Sequence, residues 1–271
     1  MTTTVLQRTA PPTAARGGWA KTVAAARYEY LMQVRRPAVW VVVIGLIALR
    51  CASPFPPGFT STTDHGTLVA DWAFNFIMLC PIGVGAVLAD RVRRESRLAL
   101  SDLLTSTPTG IGPRLWGKAI GAGAATITPV VVAWVGLLGF LTNQRGAGVI
   151  PVGVAAFAAI ILPGLVLVVA CSVTVPYLTG PVLFGLGLFG YWIWGNMVGP
   201  RFGIPTPAGT PFEAIGEYPA GAWFHGTLFD ARQRGITPTG GEAVLSIAFL
   251  LLMALAALVI TQLVLTRRSP S

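Results

Sequence analysis

Six stretches of the chain are almost free of charge, and the polar residues gather between them. The apolar runs fall at about 37–53, 68–89, 115–141, 149–175, 181–198 and 243–265. A helix that crosses a bilayer needs about 20 mostly apolar residues. The first run is the shortest, with an apolar centre at Ala38 to Leu49 behind Arg35-Arg36-Pro37. Arg50 can snorkel outward there, and the helix can continue to about Ser53 before Pro54. A bilayer core has no water to satisfy backbone groups, so such runs must be helices or strands of a closed barrel. Barrel strands alternate apolar and polar positions, and these runs do not. The pattern predicts an all-α polytopic membrane protein with six transmembrane helices.

Composition narrows the class further. Of 271 residues, 54% are hydrophobic and only 11% are charged, against roughly 25% charged in ordinary soluble domains. So few charges cannot cover a water-soluble globule of this size, which excludes a typical cytosolic enzyme, a disordered chain and a secreted disulfide scaffold. The net charge of +9 comes from short basic clusters between apolar runs, a membrane pattern rather than a nucleic-acid one. Arg8, Arg16, Lys21, Arg27, Arg35 and Arg36 precede the first span. Arg91, Arg93, Arg94, Arg97, Arg114 and Lys118 follow the second, and Arg267 and Arg268 follow the sixth. Only Arg50, Arg145, Arg201, Arg232 and Arg234 fall on the other side. Lys and Arg favour the cytoplasmic face, so both termini are expected there. The three cysteines, Cys51, Cys80 and Cys171, lack paired spacing and read as small apolar side chains.

Residues 1–18, rich in Thr, Pro and Ala, read as a loose tail, and no long apolar run before residue 37 suggests a signal peptide. Trp19, Val23, Ala26, Tyr30 and Val34 recur at helical spacing, so 19–36 reads as an amphipathic interfacial helix that turns into the membrane at Pro37. The remainder, 37–268, contains an inner loop at 90–114 and a large last outer loop at 199–242. That outer loop holds six prolines and the aromatics Tyr218, Trp223, Phe224 and Phe229. It is too aromatic for a floppy linker and is expected to fold back on the bundle.

Several motifs invite chemistry. Gly112-Pro-Arg-Leu-Trp-Gly117-Lys118-Ala119 fits the start of a phosphate loop, but Ala119 stands where magnesium needs Ser or Thr, and no strand precedes it. Gly185-Leu-Gly187-Leu-Phe-Gly190 fits a dinucleotide fingerprint but lies inside a span. It reads instead as a close helix contact, as do Gly117/Gly121 and Gly195/Gly199. Glu213, Glu217, His225 and Asp230 share the outer loop in no ligand spacing, which reads as a solvated loop. Asp71 is the one carboxylate inside an apolar run, at a depth like that of Arg50, and an ion pair between them is expected. No nucleophile elbow and no His-Glu-x-x-His pair is present, so no catalytic or metal residue is assigned.

The stretch 90–121, DRVRRESRLALSDLLTSTPTGIGPRLWGKAIG, is the most informative. It predicts a short, partly apolar helix closed by Thr107-Pro108-Thr109-Gly110, followed by a helix entering the membrane near Pro113. A soluble partner pushing on such an element would move two spans at once. Glu95, Leu103-Leu104, Thr107-Pro108-Thr109 and Gly117-Lys118 resemble the first cytoplasmic loop of type-2 ATP-binding-cassette (ABC) transporter permeases. Arg27-Tyr-Glu-Tyr-Leu and Arg35-Arg36-Pro37 resemble that family's N-terminal connecting helix. Arg97-Leu98 stands where that family often has Gly-Thr before the Leu pair.

The resemblance implies a non-enzymatic permease subunit of an efflux system in a bacterial plasma membrane. It implies a second copy or paralogue as dimer partner, and a separate ATPase subunit that carries ATP and magnesium. No cofactor would sit on this chain. It makes Glu95, Arg97, Leu98, Leu103, Leu104 and Pro108 the coupling interface. Asn75, Phe76, Tyr191, Trp192 and Asn196, polar and aromatic residues in the second and fifth spans, either line a substrate pathway or serve as packing and interfacial-belt residues. An ATP-independent carrier or channel, or a structural membrane subunit, stays open from the residues alone.

Overall fold

The computed structural model of the chain describes residues 17–52, 64–97, 110–227 and 230–268. Within those residues it is all helical, with no strand. The chain runs α1 (Gly17–Val34), α2 (Pro37–Cys51), α3 (His65–Arg97) and α4 (Ile111–Arg145). Then come a 31-residue rod α5 (Val149–Thr179) and α6 (Pro181–Asn196), short α7 (Glu217–Phe224), one turn α8 (Asp230–Gln233), and α9 (Gly240–Arg268).

Four of these helices, α3, α4, α5 and α9, are long and apolar enough to cross a membrane. At 1.5 Å per residue α3, with 33 residues, reaches about 50 Å, and α4, with 35, about 52 Å, against a hydrocarbon core of about 30 Å. A fifth crossing is available if α1 and α2 count together. Their pair is bent by 68° at the break, and Pro37 starts the second arm. The remaining expected span, α6, has 16 residues and reaches about 24 Å.

Burial separates the centre from the periphery. In the most apolar window of α3, 72% of residues are buried, against 28% in α9. α3 packs against α2, α5, α6 and α7, and its Val69, Ala73, Ile77 and Val84 are fully buried. Pro81 breaks the hydrogen-bond ladder of α3. Near that break the Trp192 indole of α6 donates to the Met78 carbonyl at 2.8 Å, supplying a partner that lipid cannot. Leu245, Leu252, Met253, Ile260 and Leu263 on α9, and Leu183, Leu186 and Phe189 on α6, point outward. That is the arrangement of helices solvated by lipid tails.

Side-chain contacts define two ends. At one, α1 runs beside α4, the Trp116 indole donates to Gln262 Oε1 near the end of α9 at 2.7 Å, and Lys118 Nζ donates to the Tyr177 hydroxyl near the end of α5 at 2.9 Å. At the other end lie the starts of α3 and α5 together with residues 199–242, tied by the Thr67 hydroxyl donating to the His225 carbonyl at 3.0 Å.

The face of α1 that docks on α4 is mainly one of small residues and takes in Ala26 and Tyr30 of the aromatic-spaced set, the Tyr30 hydroxyl lying 3.4 Å from that of Thr128. Thr22, Ala25, Ala26 and Glu29 press on Gly117 and Gly121 of α4, where an added Cβ would meet Ala25 Cβ at 2.6 Å and Glu29 Cβ at 2.7 Å. Trp19, 73% exposed, and Val23 face outward. Small residues win the contact because they let two backbones approach. Gly185, Gly187 and Gly190 meet nothing within 4 Å, so that glycine run is an open face of α6 rather than a helix contact. Gly195 is approached by Pro207 at 3.3 Å.

Candidate functional site

The expected coupling interface is reached only in part. Glu95 and Arg97 lie on the last turn of α3 as backbone positions, while Leu98, Leu103, Leu104 and Pro108 lie outside the described residues. Gly112 to Ala119 form continuous helix in α4, not a loop, and Lys118 is buried against the Tyr177 ring, 5.3 Å from its centroid.

The five pathway residues stand in different surroundings. Phe76 is buried edge-on to Trp134, with ring centroids 5.2 Å apart. Trp192 is buried and committed to Met78. Tyr191 is 40% exposed beside Trp194. Asn75 is buried and donates to the Asp71 carbonyl one turn back at 2.7 Å, while its Oδ1 has no hydrogen-bond partner. Asn196 is buried at the end of α6, and its Oδ1 accepts the Ala214 N–H at 3.0 Å.

That last bond opens onto a cap formed by residues 199–227 and 230–242, which pack on the bundle, and within it Glu213, Glu217 and Asp230, read as solvated, are buried. The end of α6 grips it three times. The Trp194 indole donates to the Pro205 carbonyl, the Thr206 hydroxyl donates to the Trp194 carbonyl, and Asn196 holds Ala214. The turn at Ala214-Ile215-Gly216 is driven into the bundle, with Ala214 and Ile215 fully buried. Gly216 takes φ +73° with the Ile160 carbonyl 2.9 Å from where a Cβ would sit, so only glycine fits both the angle and the space. α5 makes room there with a π turn at Phe157–Ile161, a helix irregularity that often accompanies functional positions.

Buried carboxylates organise the cap. Glu213 is 0% exposed, and its oxygens accept the N–H groups of Gly209 at 2.9 Å and Glu217 at 2.7 Å. Glu217 is equally buried and accepts the N–H groups of Asp230 at 2.9 Å and Ala231 at 3.1 Å. Each carboxylate thus satisfies backbone donors that a proline-rich, irregular segment cannot pair in a helix or sheet. Burial pushes the Glu213 carboxyl well above the usual carboxylate range, and the neighbouring Glu217 and Asp230 push the same way, against the pull of the two N–H groups. Tyr218 donates its hydroxyl to the Gly209 carbonyl at 3.2 Å, and burial, then Glu242 and Glu213, raise its phenol. Arg234 donates to the carbonyls of Ala208 and Thr206 at 3.0 Å each.

The Asp71 carboxylate is taken up by the cap, while the side chain of Arg50, its expected partner, lies outside the described ones. The carboxylate accepts the Thr227 N–H at 2.7 Å and the Thr227 hydroxyl at 2.8 Å, because the cap returns over the start of α3. His225 does not join the carboxylates but lines an open cleft of about 530 Å³ with Asp64, His65, Val152 and Trp223. The Thr67 N–H, the Thr67 hydroxyl proton shared between Asp64 and the His225 carbonyl, and then the Gly66 N–H hold the Asp64 carboxyl below its ordinary value. Among the described residues no three His, Cys, Asp or Glu side chains gather as a metal site. The signal for the cap was available in the sequence only as its six prolines and its aromatics, since nothing in linear spacing marks a carboxylate as a backbone acceptor.

The chain matches no family model, no curated protein and no solved structure. What stands without a relative is a multi-pass helical architecture whose apolar helices fit a membrane.

Proposed function

We propose that the chain is the membrane-embedded permease subunit of an ABC exporter in a plasma membrane, working as a dimer with a second permease chain and driven by a separate ATPase subunit. One observation carries the reading. The stretch that resembles the family's coupling loop is held between the two longest helices, α3 and α4, at the bundle end where α1 and the end of α9 also lie. A push delivered there reaches the central helix α3 directly. The bent pair α1–α2 also supports it, since the resemblance calls for a connecting helix that turns at Pro37. In this reading Leu98, Leu103 and Leu104 fill a groove on the ATPase, and Glu95 and Arg97 meet its charges.

The test is purification of the tagged chain in mild detergent with identification of what accompanies it. Recovery of a phosphate-loop ATPase is the expected result. In the reconstituted complex Leu103→Asp should leave membrane insertion intact while ATP hydrolysis no longer drives transport. Wild-type coupling in that variant, or solute movement by the purified chain alone, would overturn the assignment.

A further inference from the structure

Three separate elements wall the cleft at the cap end of the bundle. Asp64 and His65 stand at the entry to α3, Val152 and Ala155 in the first turns of α5, and Trp223 and His225 at the exit of α7. Its volume of about 530 Å³ falls within the roughly 300–1,000 Å³ of small-molecule sites.

The walls are held in place and differ in chemistry. The Thr67 hydroxyl lies between Asp64 Oδ2, at 2.8 Å, and the His225 carbonyl, at 3.0 Å, so one side chain ties the α3 wall to the cap wall. The His65 ring lies over Gly148, where an added Cβ would come within 3.2 Å of it, so the turn into α5 stays bare beneath the imidazole. Among the described residues His225 is the one non-glycine residue at positive φ, 53°, the kind of backbone strain that gathers at ligand sites. Trp223 is 41% exposed and offers an aromatic surface, while Val152 and Ala155, three residues apart, share a face of α5. No Lys or Arg lines the cleft, and Asp64, exposed at its edge and held below the ordinary carboxylate range, keeps its charge. A lone negative charge beside an indole and an apolar wall attracts a cation twice over, through the carboxylate and through the ring face.

We propose that this cleft binds an organic cation with an apolar body, its charge at Asp64 and its hydrocarbon surface against Trp223, Val152 and Ala155.

Every wall belongs to this one chain. Binding therefore needs neither an ATPase nor a second permease, and its failure would leave the exporter reading standing.

Equilibrium binding of radiolabelled tetraphenylphosphonium to the full chain in lipid nanodiscs, with empty nanodiscs subtracted, tests this. The assay runs at about pH 8, where an ordinary imidazole is uncharged. Saturable binding is expected. Asp64→Asn removes the charge but keeps an acceptor oxygen for the Thr67 N–H, and should weaken binding about three- to fivefold, as an exposed ion pair allows. Ala155→Phe, at an exposed position, fills the cleft and should abolish binding. Labelled tetraphenylborate, the same four rings around a negative centre, should show no saturable binding in a separate run. No saturable tetraphenylphosphonium binding, wild-type affinity in D64N or A155F, or equal uptake of tetraphenylborate would overturn the proposal. Should D64N fail to fold, A155F and the tetraphenylborate run decide.

Discussion

Asn196→Ala isolates the grip of the bundle on its cap. Asn196 is 1% exposed, and its side-chain oxygen accepts the N–H of Ala214, itself fully buried at the tip of the inserted turn. Alanine removes the acceptor but leaves the donor where no water reaches it. A stranded buried N–H costs about 1–3 kcal/mol, and 2 kcal/mol is about a 30-fold change in an opening equilibrium. Peptides covering 208–217 should therefore exchange their amide hydrogens about 30-fold faster in N196A than in the wild type at one fixed pH. Asn75→Ala is the matched control, because Asn75 is also buried but bonds only within its own helix, to Asp71. Its cap should exchange at the wild-type rate. If N196A leaves cap exchange untouched while slowing transport, Asn196 belongs to the substrate pathway and the anchoring argument fails.

Two further substitutions probe the other contacts. Gly121→Leu drives a side chain into the backbone of Ala26 and against Glu29, so α1 should lift from α4 at a cost of about 1–3 kcal/mol. Lower thermal stability would show it, whereas Gly136→Leu, where an added Cβ meets nothing within 4 Å, should leave it unchanged. Thr227→Val removes the hydroxyl donor to Asp71 but keeps the N–H one, and should cost about 1 kcal/mol in thermal unfolding, with Thr227→Ser restoring it.

The bundle was legible because a membrane enforces a simple rule on sequence. An uncharged run long enough to cross must be helical, and α3, α4, α5 and α9 follow the expected runs closely. Length carried less far at α2 and α6, where 15 and 16 residues fall short of a full crossing. Aromatic spacing marks α1 as amphipathic but does not say which residues dock: Thr22, Ala25 and Ala26 lie against Gly117 and Gly121, and that match of small residues belongs to the fold rather than to local spacing. Nothing local announces the fate of Glu213 or Glu217. A glutamate reads as solvated until the chain turns N–H groups toward it: Gly209 bonds Glu213 from only four residues away but through an irregular turn that no spacing rule marks, and Ala231 reaches Glu217 from 14 residues away. The same holds for Asp71, whose partner Thr227 lies 156 residues away.

The π turn in α5 has an effect that reaches well past the cap. Five residues there close a loop that a regular α-helix closes with four, so one position is surplus to the screw. Each residue of an α-helix advances the azimuth by about 100°. Trimming one residue from Phe157–Ile161 would let the helix close on four and leave Val168 and Ser172 against Gly85 of α3, whereas a deletion in the regular helix on either side would swing them by about 100°. The rod thus has one place where a residue can be lost without re-timing its far half, and Gly216 plugs in against that same place.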